Sequence, residues 1–234
     1  MPTPIQSAYN RWSQTYDSQP NPTRDIDAAV LDHIIPDLTG LTVIEAGCGT
    51  GKNSGRLAAA CHHLIALDFS EGMMAVARRK VQAPNITWTR CDLNQPWPLT
   101  AKTADLVIFN LVLEHIQHLE PIFAQAARVL HPGGQMLLSE FHPIRLTDGK
   151  GAQITAEDGR ILEFIGSFRH TAQEFETAAR SLGLHLLQSQ EWIPETKNPG
   201  FSPTNKDSQA DSQEARVLGE DERPLLLTMR FDKG

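Results

Sequence analysis

The sequence predicts a doubly wound α/β fold: a mostly parallel sheet finished by an antiparallel C-terminal strand, with N-terminal helices as a cap. Three observations predict it. Val43-Ile44-Glu45 is a short β-branched run that passes into Gly47, Gly49 and Gly51, and Asn53 to Ala60 then has the pattern of a helix. From there to Glu140, strand and helix patterns alternate, as they do when parallel strands are joined by crossover helices. After Glu140 come a helix, a strand, a polar excursion and a last strand, the order of an antiparallel hairpin closing a sheet.

Taken in order, Ile5, Ala8, Tyr9, Trp12 and Tyr16 recur at helical spacing and predict an amphipathic helix over Ile5 to Tyr16. Asn21-Pro22-Thr23 supplies a cap and first turn for a second helix bearing Ile26, Ala29, Val30 and Ile34 on one face. Both helices are expected over the carboxyl end of the sheet, where Tyr9, Trp12 and Tyr16 either pack the core or line a site. Strands are expected at Thr42 to Glu45, Leu64 to Leu67, Ile86 to Arg90, Asp105 to Phe109 and Gln135 to Ser139. Met73, Met74, Val76 and Ala77 mark the helix after the second strand, and a helix from about Pro121 to Leu130 stops at His131-Pro132-Gly133-Gly134. Beyond Glu140 the pattern predicts a β segment over Arg160 to Phe164, a helix over Thr171 to Leu182 stopped by Gly183, and strands over Leu184 to Trp192 and Leu225 to Phe231. Residues 198–222, poor in apolar side chains, read as a flexible insertion with a short helix near Glu214. One domain over 1–234 is expected: a helical cap over 1–40, a ligand-binding core over 41–140, and an acceptor-side remainder over 141–234.

An apolar fraction of 40% with 21% charged residues suits a soluble protein with an ample core. A net charge of −7 and no run of basic residues argue against a nucleic-acid partner, which requires phosphate neutralisation. Three widely spaced cysteines, Cys48, Cys61 and Cys91, fit free thiols in a reducing cytoplasm. No apolar stretch reaches membrane-spanning length, and the N-terminus lacks a signal peptide's apolar core, so a cytoplasmic protein with no membrane partner is expected.

Ligands of a doubly wound sheet sit outside the carboxyl ends of its strands. Collecting those ends gives the glycine loop, Asp68, Asp92, Asn110 and Glu140. A nicotinamide dinucleotide site usually carries GxGxxG, which GCGTGK meets only by loose counting. The second reading is a methyltransferase. VIEAGCGTG, ALDFSEGMM, RCDLNQPWPL, ADLVIFNLVLEHI and RVLHPGGQML resemble, in order and at proper spacing, the successive motifs of the class I S-adenosylmethionine-dependent methyltransferases. The resemblance is strong over the central stretch from Val43 to Glu140 and weaker in the flanks. GTGKN, LVLEHI and EFHP together look like a subgroup of small bacterial enzymes akin to the quinone-pathway type.

The resemblance implies the Rossmann-like class I methyltransferase fold, S-adenosyl-L-methionine as cofactor and S-adenosyl-L-homocysteine as its product. It implies that Asp68 accepts from both ribose hydroxyls, that Asp92 accepts from the adenine amino group, and that the Leu93 amide faces a ring nitrogen. Phe69 and Met73 are placed to sandwich the adenine, although Met73-Met74 fits core filling nearly as well. The backbone at Gly47, Cys48, Gly49 and Gly51 approaches the methionyl part, the Asn110 carbonyl takes its ammonium, and Glu45 tethers the loop or contacts that group. An acceptor that must lose a proton calls for a base. His142, after the fifth strand with Glu140 beside it, is the first candidate and His115 the second, against capping or surface roles for both. His115 and His118 stand one helical turn apart with no third ligand at suitable spacing, so no metal is expected. Asn110-Leu111-Val112-Leu113 is not the N/D-P-P-Y/F motif of base and glutamine amine methylation, and no Pro-Cys nucleophile occurs. A small-molecule acceptor is therefore expected, with a protein methyltransferase or a non-catalytic SAM-binding module as the alternatives.

Overall fold

The computed structural model describes residues 3–18, 21–146, 153–155, 161–194, 201–204 and 223–234. Two helices, α1 (Pro4–Trp12) and α2 (Pro22–Ile34), precede the sheet. Each starts on a proline, where no intrahelical donor is lost, behind a capping side chain. Thr3 accepts from the Gln6 amide at 3.2 Å and Asn21 from the Arg24 amide at 3.0 Å. α1 ends at Trp12, short of the expected Tyr16. The hydroxyls of Ser13, Thr15 and Ser18 donate to the carbonyls of Asn10, Trp12 and Thr15, which draws the chain off into turns.

Among the described residues ten strands follow in chain order: β1 (Thr42–Ala46), β2 (His63–Asp68), β3 (Ile86–Arg90), β4 (Ala104–Asn110), β5 (Leu130–Phe141), β6 (Gln153–Thr155), β7 (Ile161–Phe164), β8 (Leu184–Pro194), β9 (Phe201–Thr204) and β10 (Leu226–Lys233). Eight of them form one sheet in the order β3-β2-β1-β4-β5-β10-β8-β9. β1 to β5 are parallel, β10 runs antiparallel between β5 and β8, and β9 pairs antiparallel with β8. The further α-helices among the described residues are α3 (Ser54–Ala60), α4 (Glu71–Lys80), α5 (Leu119–Val129) and α6 (Ala172–Arg180).

Successive strand side chains point to opposite faces, so neighbours such as Val43 and Ile44 enter different cores. Ile44, Val107, Phe109, Met136 and Phe231 cluster with Ile122 and Phe123 of α5 and Phe175 of α6. Val43, Leu64, Leu106, Ile108 and Leu137 cluster with Leu31 of α2 and Leu57 of α3 on the other side. Both faces are covered, as strands apolar on both sides require.

Three expectations change. The His131-Pro132-Gly133-Gly134 stop ends α5, but β5 already begins at Leu130 rather than at Gln135. Leu130 pairs with Ala104, and the register slips before Gln135 pairs with Leu106, a bulge that the positive φ of Gly133 (77°) permits. The β segment near residue 161 does not join the main sheet; it pairs with β6 as a separate ribbon, and Arg160 lies outside the described residues. Within the excursion 198–222, Phe201–Thr204 forms the edge strand β9 on Glu191 to Pro194 of β8. Residues 198–200 and 205–222, with the expected helix near Glu214, lie outside the described residues.

The ribbon closes the molecule over α1. Ile154 and Ile165 pack with Ala8, Trp12 and Met73, and Arg11 pairs with Glu163 at 2.6 Å. Beneath this, α4 approaches the glycine loop. Gly51 has φ of 73°, and a Cβ there would stand 3.0 Å from the Ala77 Cβ of α4. Gly51→Ala is expected to lower the unfolding free energy by about 1–3 kcal/mol through the unfavourable φ and this contact. Urea denaturation checks it: unchanged stability would mean that the loop and α4 have room to separate.

Candidate active site

The loop after β1 is held against β2 by its own backbone. The amides of Gly47 and Cys48 both donate to the Leu67 carbonyl, at 2.8 and 2.9 Å. Gly47 has φ of 86°, and a Cβ on it would fall 2.6 Å from Cγ2 of Val112, so the loop after β4 lies directly on the glycine. Asp68, at the end of β2, is only 7% exposed. Its Oδ2 accepts from the Gly49 amide at 2.8 Å and its Oδ1 from the Ser70 amide at 2.7 Å. Burial pushes its carboxyl up to about 6 despite those donors. One carboxylate thus ties the glycine loop to the start of α4.

A cavity opens over these groups. It is lined by Glu45, Gly47, Cys48, Gly49, Asp68, Phe69, Met73, Asp92, Leu93 and Asn110, which the structure brings together from the ends of β1 to β4. Gly51 is not among the lining residues; it packs on α4 instead. Met73 is fully buried and also belongs to the cluster under α1, so its two expected roles coincide. Glu45 accepts from Ser54 Oγ at 2.5 Å, which anchors the start of α3, and burial raises its carboxyl to about 7. Asp92 Oδ1 accepts from the Asn94 amide at 3.0 Å, a turn that sets the chain direction after β3. The Asn110 side chain is spent on the protein: Nδ2 donates to Asp27 at 3.0 Å and Oδ1 accepts from Asn53 at 2.9 Å.

The N-terminal segment supplies lining residues that sequence reasoning left open or missed. Tyr9, Tyr16, Arg24 and Asp27 line the cavity, together with Thr50 and Lys52 of the glycine loop. Gln6 donates to the Phe69 carbonyl at 2.6 Å, and Asn10 accepts from Ser70 Oγ at 2.7 Å and from the Gly72 amide at 3.1 Å. Asp17 accepts from Thr50 and from Lys80, both at 2.7 Å. Asp27 is buried; Ser139 Oγ donates to it at 2.7 Å, and desolvation lifts its carboxyl to about 6. The available signal was an acidic residue next to the apolar face of α2, between Ile26 and Val30.

The two candidate bases, and Glu140 expected beside the first, are placed differently. His115 lines the cavity; its Nε2 is 2.6 Å from Tyr9 Oη and its Nδ1 is 3.0 Å from the Gly166 carbonyl. Burial lowers its pKa to about 4. Glu140 is 2% exposed and does not line the cavity. Its Oε1 accepts from the amides of Val112 and Leu113 at 3.1 and 3.0 Å, while Leu111 takes a φ of 50°, so Glu140 fixes an otherwise unfavourable turn. Burial pushes its carboxyl up to about 8. His142 is not brought to the cavity, contrary to its expected place as the first candidate base. Its amide donates to the Leu225 carbonyl at 2.8 Å, continuing the pairing of β5 with β10, and its Nε2 sits 3.5 Å from Glu191 of β8. Among the described residues no group of three metal-ligating side chains occurs, and no helix is long and apolar enough to cross a membrane.

Known proteins match this arrangement. The methyltransferase domain family matches residues 44–138, the stretch from β1 to β5 that supplies the loop, Asp68, Asp92 and Asn110. The chain is 28% identical over 184 residues to the bifunctional biotin biosynthesis protein BioHC of Cellvibrio japonicus, covering 78% of this chain and 35% of that protein. It is 29% identical over 147 residues to the demethylmenaquinone methyltransferase of Tropheryma whipplei, covering 60% of this chain and 61% of that one. The chain therefore spans about a third and three fifths of the lengths of these two relatives. In fold it resembles an S-adenosylmethionine-dependent methyltransferase from Mesorhizobium loti, with a TM-score of 0.69 at 21% identity over 89% of this chain and 98% of that one. With the sheet order, the glycine loop and the strand-end carboxylates already in place, these matches lead to one conclusion: residues 44–138 carry a methyltransferase domain, set in the fold of S-adenosylmethionine-dependent methyltransferases.

Proposed function

We propose that this chain moves a methyl group from S-adenosylmethionine to a small-molecule acceptor and leaves S-adenosylhomocysteine. The observation that carries the reading is the convergence of the Gly47–Gly49 backbone, Asp68 and Asp92 from three neighbouring strand ends on one cavity. The residues present fit the donor. Each Asp68 oxygen spends one lone pair on an amide and keeps another for a ribose hydroxyl. Nothing lies within 4 Å of where a Gly49 Cβ would stand, so the loop leaves space over its backbone. Asp92 and Leu93 would hold the adenine edge between Phe69 and Met73, and the Asn110 carbonyl would take the ammonium.

The bound donor supplies an activated methyl on a sulfonium sulfur. The protein's share is to hold the acceptor in line, exclude water and take up any proton released. Phe69, Met73, Leu111, Val112 and Ile116 give the cavity an apolar lining suited to the first two tasks. His115, brought into the cavity where His142 is not, is the proposed proton acceptor. A small-molecule acceptor is supported by the relative named for demethylmenaquinone and by the chain's charge of −7.

Calorimetry with S-adenosylhomocysteine tests the reading on the wild type and on Asp68→Ala. The variant loses the ribose partner and frees the Gly49 and Ser70 amides, so affinity is expected to fall by about ten- to a thousandfold. Unchanged affinity, or tight binding of NAD by the wild type, would reject it.

The buried carboxyl of Glu140 gives a second measurement. Its folded value of about 8 lies above the ordinary 4.5, so the native protein keeps a proton that the unfolded chain releases. This contribution is complete below the ordinary value and is lost as pH rises through about 8. The ligand-free protein should therefore melt at a lower temperature near pH 8.5 than near pH 6, and Glu140→Gln should weaken that dependence. Parallel melting curves for both proteins across that range would show that Glu140 is already ionised in the fold.

A further inference from the structure

We propose that Tyr9, His115 and Glu114 form a proton relay on the acceptor side of the cavity, and that the acceptor is a hydroxyl or enol that gives up its proton there. The inference rests on the methyl-transfer reading above and names its acceptor class. Hydrogen-bond geometry carries it. The Gly166 carbonyl only accepts, so His115 Nδ1, 3.0 Å away, is the nitrogen that bears hydrogen. Nε2 then holds a lone pair, and the Tyr9 hydroxyl, 2.6 Å from it, is the donor. With its proton committed to His115, the Tyr9 oxygen offers the cavity lone pairs alone. An acceptor O–H completes that hydrogen bond; a carboxylate acceptor meets lone pairs with no proton between.

The surroundings also disfavour an acceptor that arrives as a carboxylate. Tyr16, Glu114, Asp68 and Glu140 are the titratable groups that act on Tyr9, all neutral or negative, while Arg24 is turned onto the ring and carbonyl of Tyr16. Behind His115, Glu114 Oε1 lies 3.7 Å from Nε2, and Glu114 Oε2 is buried with no hydrogen-bond partner among the described residues. An unpaired buried carboxylate oxygen is costly, and a positive imidazole beside it offsets that cost. Burial keeps His115 neutral at rest and lifts Glu114 to about 7, so near neutrality Nε2 is free to accept and a negative partner is partly in place. The acceptor O–H proton passes to the Tyr9 oxygen as the Tyr9 proton passes to Nε2. The acceptor oxygen gains the methyl, and the pair of the broken methyl–sulfur bond stays on sulfur. Imidazolium then faces Glu114.

Two measurements test it. Nitrogen-15 spectra of the full chain with S-adenosylhomocysteine should show His115 as the neutral Nδ1–H tautomer, and Tyr9→Phe should shift its Nε2 resonance. An imidazolium, or the Nε2–H tautomer, overturns the relay. A labelled-methyl assay then compares phenols, hydroquinones and enolisable 1,3-diketones with carboxylic acids and amines. Transfer to the first group is expected, with kcat lowered about a hundredfold or more in Tyr9→Phe and His115→Gln and S-adenosylhomocysteine affinity nearly unchanged. Glu114→Gln should lose less and flatten the acidic limb of the kcat profile. Transfer confined to carboxylic acids or amines, or to no hydroxyl or enol probe, overturns the acceptor class. Wild-type protein that fails to bind S-adenosylhomocysteine would instead reject the methyl-transfer reading, and this inference with it.

Discussion

The site depends on one buried carboxylate and the two amides it collects. Asp68 stands at the end of β2, between the turn after β1 and the first turn of α4, and it bonds to both. A glycine loop has little stiffness of its own, because its residues lose more freedom on ordering than any others. Asp68 supplies the missing constraint from outside the loop, and the Val112 side chain on Gly47 supplies another from the opposite side. The same residue then has lone pairs left for a ligand. On the proposed reading, loop order and donor affinity are coupled through this single side chain.

Charge is handled by withdrawal from water. Glu45, Asp27, Asp68, Glu114 and Glu140 are all buried and all have raised carboxyl values. Glu45, Asp27 and Glu140 bind protein groups that shape the walls: Ser54 at the head of α3, Asn110 and Ser139 across β4 and β5, and the amides of the turn after β4. Burial costs each carboxylate its hydration, and hydrogen-bond donors return only part of that. A cationic ligand would return more. Glu45, Asp27 and Asp68, which line the cavity with Arg24 and Lys52, are the buried carboxyl groups that a positively charged donor would meet before any acceptor arrives.

Much of this was legible in the sequence, and the boundary has physical causes. Asp68, Asp92 and the glycines are local features: a strand end, a turn and a cap identify them whatever the rest of the chain does. The alternation from β1 to β5 was legible because strands buried on both faces read as short apolar runs. Side-chain direction past a strand end was not. Glu140 lies near the end of β5 and His142 just past it, yet the first turns under the loop after β4 and the second toward β8. The partner of His115 was hidden by distance, since Tyr9 lies 106 positions away and helical spacing alone shows it as core. Asp27 was hidden by its element: an acid on an amphipathic helix reads as solvated until Ser139 and Asn110 are placed against it.

The roof over the cavity has a consequence for how the chain acquires its site. Gln6 to Phe69, Tyr9 to His115 and Arg11 to Glu163 join residues 63, 106 and 152 positions apart. Contacts of such range pay their loop-closure entropy before they return any energy, so they belong to the slow end of folding. The α1 segment emerges from the ribosome before the sheet it covers, yet it finds its last partner only after the ribbon at Glu163 has been made. Until then the parallel core stands with its ligand face open to solvent. Assembly of the site is in this sense a late event for a segment made before the sheet, and a chain interrupted before Glu163 would carry the parallel strands without the enclosure.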